Sequence, residues 1–303
     1  MAKIIRGKFR ALGTEIIVKI VGKSRKETNS AKRDIKKIED IFLAKQKIFC
    51  RFNSRSELSR LNGNLEAWQE VSPDMLYLSK RALFYHKESN GLYDPRVIEY
   101  LEKMGYRKHE SAGGKSLNKF QKIGNLARDL KVRGNKVYLA RRMDFSGIAK
   151  GYIIDQAAKF LKKVGWKNFF INVNGDAYAA GFNANGKKWE LPIEGARDKK
   201  AAIYVSNQGV ATSGVIKKHW RHKGKNVHHL INPKNPGKFS FEIRSVLVIH
   251  KKTEWADGRA KVLVLKGLGK GFRYAKRKKL KAIFVDKKRK IIPTFNALGC
   301  LHQ

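Results

Sequence analysis

MDFSGIAKGYIID, residues 143–155, is the stretch that decides how the rest of the chain is read. Gly147 and Gly151 permit close backbone approach, and Lys150 lies between them. Downstream, Ile154, Ala157, Ala158 and Leu161 recur at helical spacing and Gly165 ends the run. A strand end therefore meets a helix start. Exposed amides at such a start, beside a lysine, suit a phosphate oxygen. A tight turn carrying a surface lysine satisfies the same letters.

Working outward, Lys136 to Ala140 and Asn168 to Val173 read as strands on either side of that helix. Further strands are expected near 178–182, 188–193, 201–206 and 243–249, with a helix at roughly 254–266 and a hairpin near 281–292. Toward the N-terminus, Ile4 to Arg10 and Glu15 to Ile20 form a hairpin joined around Leu12-Gly13-Thr14. A long amphipathic helix then carries Ile35, Ile38, Phe42 and Phe49. FCRFNSRSELSRLNGN reads as a polar loop. Ser72 and Pro73 open the next helix and Asn90-Gly91 ends it. Residues 106–135, rich in Gly, Lys and Asn, are the best candidate for an internal excursion. The layout is α+β, a mixed sheet with packed helices, expected as a single domain over 1–303.

With 303 residues, 42% of them hydrophobic, the chain can bury a core. Its 67 Lys and Arg against 25 Asp and Glu give a net charge of +42. Such a field attracts nucleotides, nucleic acid or acidic surfaces. The basic residues are spread along the chain instead of being gathered with exposed aromatics, so no stable nucleic-acid partner is expected. Cys50 and Cys300 fit neither a metal spacing nor a disulfide framework, which implies a reducing compartment. No apolar run is long enough to span a membrane and no signal peptide is evident, so the expectation is a cytoplasmic protein.

Three further segments could carry chemistry. INVNGDAYAAG, residues 171–181, is a polar turn after an apolar strand, which a plain hairpin also explains. GVATSGVIKKHW supplies Thr212 and Ser213, and HHLINPKNPG supplies His229 before Asn232-Pro233; a structural histidine reads the same way. TEWADGRAKVLVLKG, if helical, sets Asp257 and Lys261 on one face, four residues apart. An ordinary surface ion pair has that spacing too.

In order and spacing these segments resemble one family, the ApbE flavin transferases, or FAD:protein FMN transferases. The resemblance runs from the FRALGT hairpin to the helix after EWAD. Its carriers are Leu12-Gly13-Thr14, SELSRLN at 56–62, Gly91-Leu92-Tyr93-Asp94-Pro95, D-x-x-G-I-A-K-G-Y-x-x-D at 144–155, A-T-S-G at 211–214, and His229 to Gly237 with one residue inserted before the glycine.

The resemblance implies an FAD site lined by Leu12, Phe52, Leu92, Tyr93, Asp94, Asp144, Lys150 and Arg244, with Asp155, Thr212 and His229 at or near it. It implies phosphoryl transfer: a Thr or Ser hydroxyl of an acceptor flavoprotein subunit of a redox complex attacks the FMN phosphorus, and AMP leaves. Hydrolysis of FAD to FMN and AMP is the alternative in the same chemical class, and a basic nucleic-acid binder on this scaffold is one from another. It further implies Mg2+, held by the Gly147 carbonyl, by Asp257 and by a threonine one turn later. Here that threonine is Lys261, which cannot ligate a metal while protonated. Asp257, His229 and Lys261 are the catalytic candidates. Leu12 in place of Met, Asn174 in place of Gly and Asn232 are smaller departures.

Overall fold

The computed structural model describes residues 2–106 and 123–301. The stretch 107–122 of the expected excursion lies outside the described residues; the remainder holds a short helix and a strand. In chain order the strands and helices are β1 (Lys3–Ala11), β2 (Thr14–Gly22), α1 (Arg25–Phe49), α2 (Glu57–Gly63), β3 (Trp68–Glu70), α3 (Pro73–Glu88), α4 (Ile98–Lys103) and α5 (Leu126–Asp129). They continue as β4 (Leu130–Arg133), β5 (Lys136–Leu139), α6 (Ser146–Lys163), β6 (Phe169–Val173), β7 (Asp176–Ala180), β8 (Trp189–Pro192) and β9 (Ala202–Val205). The last are β10 (Gln208–Gly214), β11 (His219–His222), β12 (Lys225–His228), β13 (Ile243–His250), α7 (Thr253–Lys266), α8 (Leu268–Arg277), β14 (Lys281–Asp286) and β15 (Ile291–Pro293). The α+β class read from the sequence is the class observed.

The residues group into two compact units, each discontinuous in sequence. The first comprises Met1–Lys45, Lys150–Ser213 and Glu242–Gln303. Its centre is an eight-stranded sheet in the order β1-β2-β6-β7-β10-β13-β14-β15. Alternation along β2 buries Ile16, Val18 and Ile20 completely. A core cluster joins Phe170, Leu247, Ile283 and Val285 of the sheet to Trp189, Ile203 and Val205 of the β8–β9 hairpin and to Cys300. Helix α7 packs on β13, β7 and α8.

The second unit comprises Gln46–Ala149 and Gly214–Phe241. A three-stranded sheet, β3-β5-β4, supports α3. The loop expected over FCRFNSRSELSRLNGN is corrected here, because it contains α2. Ser56 caps that helix by accepting the Ser59 backbone N–H at 3.0 Å, and Leu58 and Leu61 are fully buried. Burying each leucine contributes about 1.5–3 kcal/mol, enough to hold two turns whose composition is otherwise polar. Asn62 then clamps a distant backbone segment: its Nδ2 donates to the Met143 carbonyl at 2.9 Å and its Oδ1 accepts the Met143 N–H at 2.8 Å. That clamp fixes the chain just before Asp144.

Candidate active site

Leu12, Lys150, Asp155, Thr212, Arg244, Asp257 and Lys261 belong to the first unit. Phe52, Leu92, Tyr93, Asp94, Asp144, Gly147 and His229 belong to the second.

In the first unit, packing creates a cluster of opposite charges. The Lys150 ammonium reaches from α6 to Oδ2 of Asp176, the first residue of β7. Oδ1 of Asp176 accepts the Thr212 backbone N–H at 2.9 Å, so the A-T-S-G strand contributes an amide to the cluster. On α7, Lys261 donates to Oδ1 of Asp257, and Oδ2 of Asp257 accepts the Gly151 N–H at 3.2 Å. Both carboxylates are 1% exposed, whereas the Lys150 and Lys261 side chains are 31% and 18% exposed. Each lysine thus neutralises a buried carboxylate from a side chain that is itself only partly buried.

The two pairs feel one another. Burial alone would lower the Lys150 pKa, but the carboxylates of Asp176 and then Asp257 hold it above the ordinary lysine range. Burial pushes the Asp257 carboxyl up. The Lys261 ammonium opposes that, Asp176 reinforces it, and Lys150 again opposes it. Asp176 is the site residue the sequence reading missed. The Asn174-Gly175 turn before it forms the expected hairpin, with Val173 opposite Asp176, and the sequence reading, which set Asp176 in that turn, assigned it no role because a plain hairpin explained the stretch as well.

The start of α7 is built to be approached. Asp155 accepts the Thr253 N–H on Oδ1 at 2.8 Å and the Glu254 N–H on Oδ2 at 3.0 Å. It satisfies two amides that the helix itself cannot. Burial raises the Asp155 pKa to about 6. A Cβ on Gly151 would lie 2.6 Å from the Glu254 Cα, so only glycine lets α6 come this close to α7. The close backbone approach expected at Gly151 is made here by the start of α7.

Leu12 and Arg244 stand elsewhere in this unit. Leu12 and Gly13 form the two-residue turn between β1 and β2, with φ of 55° and 70°. A left-handed backbone costs a residue bearing a Cβ about 1–2 kcal/mol. The turn thus holds a strained leucine at a partly buried hairpin tip. Arg244 occupies a register irregularity of β13, between Ile243 opposite Asp286 and Ser245 opposite Val285. A bulge re-aims its side chain, and its buried Nε finds no hydrogen-bond partner among the described residues.

In the second unit the candidates serve two networks. Asp94 accepts the Arg96 backbone N–H and Nε–H on Oδ1, both at 2.9 Å, and Nη2–H on Oδ2 at 2.6 Å. Arg96 also donates to Asp129 at 2.6 Å and to the Gly124 carbonyl at 2.7 Å. His86 Nδ1 lies 3.2 Å from Asp94 Oδ2. Burial would raise the Asp94 pKa, but the hydrogen bonds from Arg96 and His86 hold it below the usual carboxylate range. Tyr93, next to this network, is buried, and its N–H donates to Ser89 Oγ at 2.9 Å. Leu92 is partly exposed.

Asp144 starts α6: its Oδ1 accepts the Ser146 N–H at 2.8 Å, and its Oδ2 lies 3.0 Å from Arg51 Nε. Gly147 follows in the first turn of that helix. The Arg51 guanidinium also lies 4.1 Å from the centre of the Phe52 ring, which is 41% exposed. His229 Nδ1 lies 3.3 Å from the Lys218 carbonyl, which can only accept a hydrogen bond. Its neighbour His228 is structural. It is buried between Phe239 and Phe241, and desolvation lowers its pKa to about 4.

No helix among the described residues is long and apolar enough to cross a membrane. The FAD:protein FMN transferase of Haemophilus influenzae is 27% identical over 295 residues, covering 92% of this chain and 85% of that protein. The Vibrio cholerae protein of the same name is 26% identical over 248 residues, 78% and 74% of the two chains. Among solved structures, the apo flavinyl transferase ApbE of Pseudomonas stutzeri superposes with a TM-score of 0.84 at 22% identity, over 99% of this chain and 97% of that one. The flavin transferase ApbE of Vibrio cholerae does so with the same score and identity, over 99% and 100%. The ApbE family profile matches residues 12–284, and this chain therefore belongs to the ApbE family.

Proposed function

We propose that this protein transfers the FMN half of FAD to a Ser or Thr hydroxyl of an acceptor flavoprotein subunit. The acceptor oxygen attacks the phosphorus on the FMN side, and a new P–O bond forms. The P–O bond to the bridging oxygen breaks, AMP leaves with that oxygen, and the hydroxyl proton passes to a base. His229, which the resemblance sets at or near the FAD site, is our candidate base. Catalysis of such a transfer rests on positioning and on neutralising charge as the leaving group departs.

The observation that carries the reading is Lys150. It sits in the complete D-x-x-G-I-A-K-G-Y-x-x-D segment, and a buried carboxylate keeps it charged. Its ammonium is the group we assign to the pyrophosphate, with Arg244 as a second cation. Relatives that align over most of the chain and are named FAD:protein FMN transferases support the FMN-transfer reading. Both cysteines are free thiols, which suits an acceptor reached in a reducing compartment such as the cytoplasm.

The resemblance also implies Mg2+, a cation that takes hard oxygen ligands in near-octahedral geometry. The donor set of this chain does not fit it. Both Asp257 oxygens are engaged, one by an ammonium, and the residue a turn later is a lysine. No step is therefore assigned to a metal.

The test is to incubate the protein with FAD and a domain carrying a D-x-x-[ST]-G-[AST]-[ST] motif, and to weigh the product. One FMN adduct on a single Thr or Ser, with AMP released in equal amount, is the expected result. FMN and AMP without an adduct would make the protein an FAD pyrophosphatase. Intact FAD would end the reading.

A further inference from the structure

We propose that Lys261 is a tethered counter-ion doing at Asp257 what a divalent cation would otherwise do, so that this chain binds and uses FAD without divalent metal. The inference rests on the FAD reading above and concerns the same site.

The cluster contains two buried carboxylates, Asp176 and Asp257, and two ammonium groups, Lys150 and Lys261. Its formal charge is therefore zero. An ionised carboxylate that is 1% exposed needs a compensating charge, because desolvation of an unpaired ion costs far more than a fold can spare. With a neutral side chain at 261 the cluster would carry a net charge of −1, and Oδ1 of Asp257 would lack its donor. That is the condition under which a hard cation is recruited to a carboxylate oxygen. Lys261 abolishes it by placing an ammonium on that oxygen. A metal and the ammonium are alternatives at Oδ1, since both need the same lone pairs and repel one another.

The exchange is fixed in place by the backbone. Asp257 and Lys261 are four residues apart on α7, in the favourable order with the acid nearer the N-terminus. Helix α7 is held by Asp155 on its first amides and by Gly151 against its Glu254 backbone. An ammonium has three donors and Asp257 takes one, so Lys261, 18% exposed, has donors to turn to a phosphate oxygen.

The experiment uses the full chain, stripped with chelator and compared with and without millimolar Mg2+. It covers the parent, Lys261→Thr and Lys261→Met. FAD affinity is read by flavin fluorescence, and the thermal midpoint is read without FAD. The parent should keep its FAD Kd within about twofold and its midpoint unmoved on adding Mg2+, whereas Lys261→Thr should bind FAD at least about tenfold more weakly in chelator, recover with Mg2+ and gain thermal stability from it. Lys261→Met, which offers no oxygen, should lose affinity without recovery.

A parent that needs Mg2+ for FAD, or is stabilised by Mg2+ alone, overturns the proposal. So do Lys261→Thr curves that coincide with those of the parent. These parent measurements decide the matter even if a variant does not fold. A parent that fails to bind FAD in either condition defeats the FMN-transfer reading. The midpoint measurements then still judge Lys261 by themselves.

Discussion

Each unit buries a charged cluster, and the two are built differently. In the second unit an arginine does the pairing: the Arg96 fork is divided among both Asp94 oxygens, Asp129 and the Gly124 carbonyl, and Arg96 and Asp94 are 2% and 1% exposed. A planar guanidinium matched to carboxylates in this way commits four of its five donors inside the fold. In the first unit two lysines do the pairing, and their side chains are 31% and 18% exposed. An ammonium is a point charge with donors in several directions, so it can hold a carboxylate and still meet an anion. Closed arginine networks hold folds together. Lysine clusters with one open side can take part in chemistry.

The sharpest way to break that contrast is to remove one partner from each cluster. Asp94→Ala leaves Arg96 charged and buried without its main partner, and should destabilise the protein by about 3–5 kcal/mol in urea unfolding. FAD affinity of the fraction that remains folded should be unchanged. A specific loss of affinity would place Asp94 at the ligand, as its family motif implies. Lys150→Ala should do the reverse. It should weaken FAD binding by about 1–3 kcal/mol, as measured by fluorescence titration. Unaltered affinity would demote this lysine to a structural partner of Asp176.

Acid separates the units in a second way. Asp155 has a folded pKa raised to about 6, above its unfolded value, so its contribution to stability is full below about pH 4 and is lost as pH rises through about 6. His228 is the opposite case. Its folded pKa is lowered to about 4, so its contribution is present above about 6.5 and is lost as pH falls toward 4. The difference in unfolding free energy between parent and Asp155→Ala should therefore grow between pH 7 and pH 5, on the order of 1 kcal/mol, while that for His228→Phe should shrink. Urea unfolding at the two pH values checks both signs.

The smallest expected effect is at the β1–β2 turn. Leu12→Asn replaces a strained leucine by the residue this turn prefers, and should stabilise the protein by up to about 1 kcal/mol. Weaker FAD binding in the same variant would show that the leucine was retained for the ligand. If affinity is untouched, the strain at Leu12 has no bearing on FAD.

Elements whose signals are local were legible. Ser72 and Pro73 open α3 as expected, with Ser72 Oγ accepting the Met75 N–H at 3.2 Å. The first hairpin, α6 and α7 also lie where periodicity puts them. Helix α2 was not legible, because only Leu58 and Leu61 mark its inner face. Nor were β10, the β11–β12 hairpin or α8, where glycines and basic residues dilute the pattern. In the candidate site, the four-residue step from Asp257 to Lys261 was readable and the family motif singled out Lys150. Asp176 was hidden behind a turn that looked like a plain hairpin.

The chain alone determined which side chains could pair within one helix, since Asp257 and Lys261 share a face of any helix built on these residues. It also determined where glycine must stand, though not for what purpose. Tertiary structure decided that Gly151 admits α7, that Asp155 caps that helix from another, and that Lys150 ends on a carboxylate twenty-six residues away. The reason is physical. A helix start leaves amide donors, and a buried carboxylate leaves lone pairs, that no neighbour in sequence can satisfy. Only packing determines which distant group arrives to meet them.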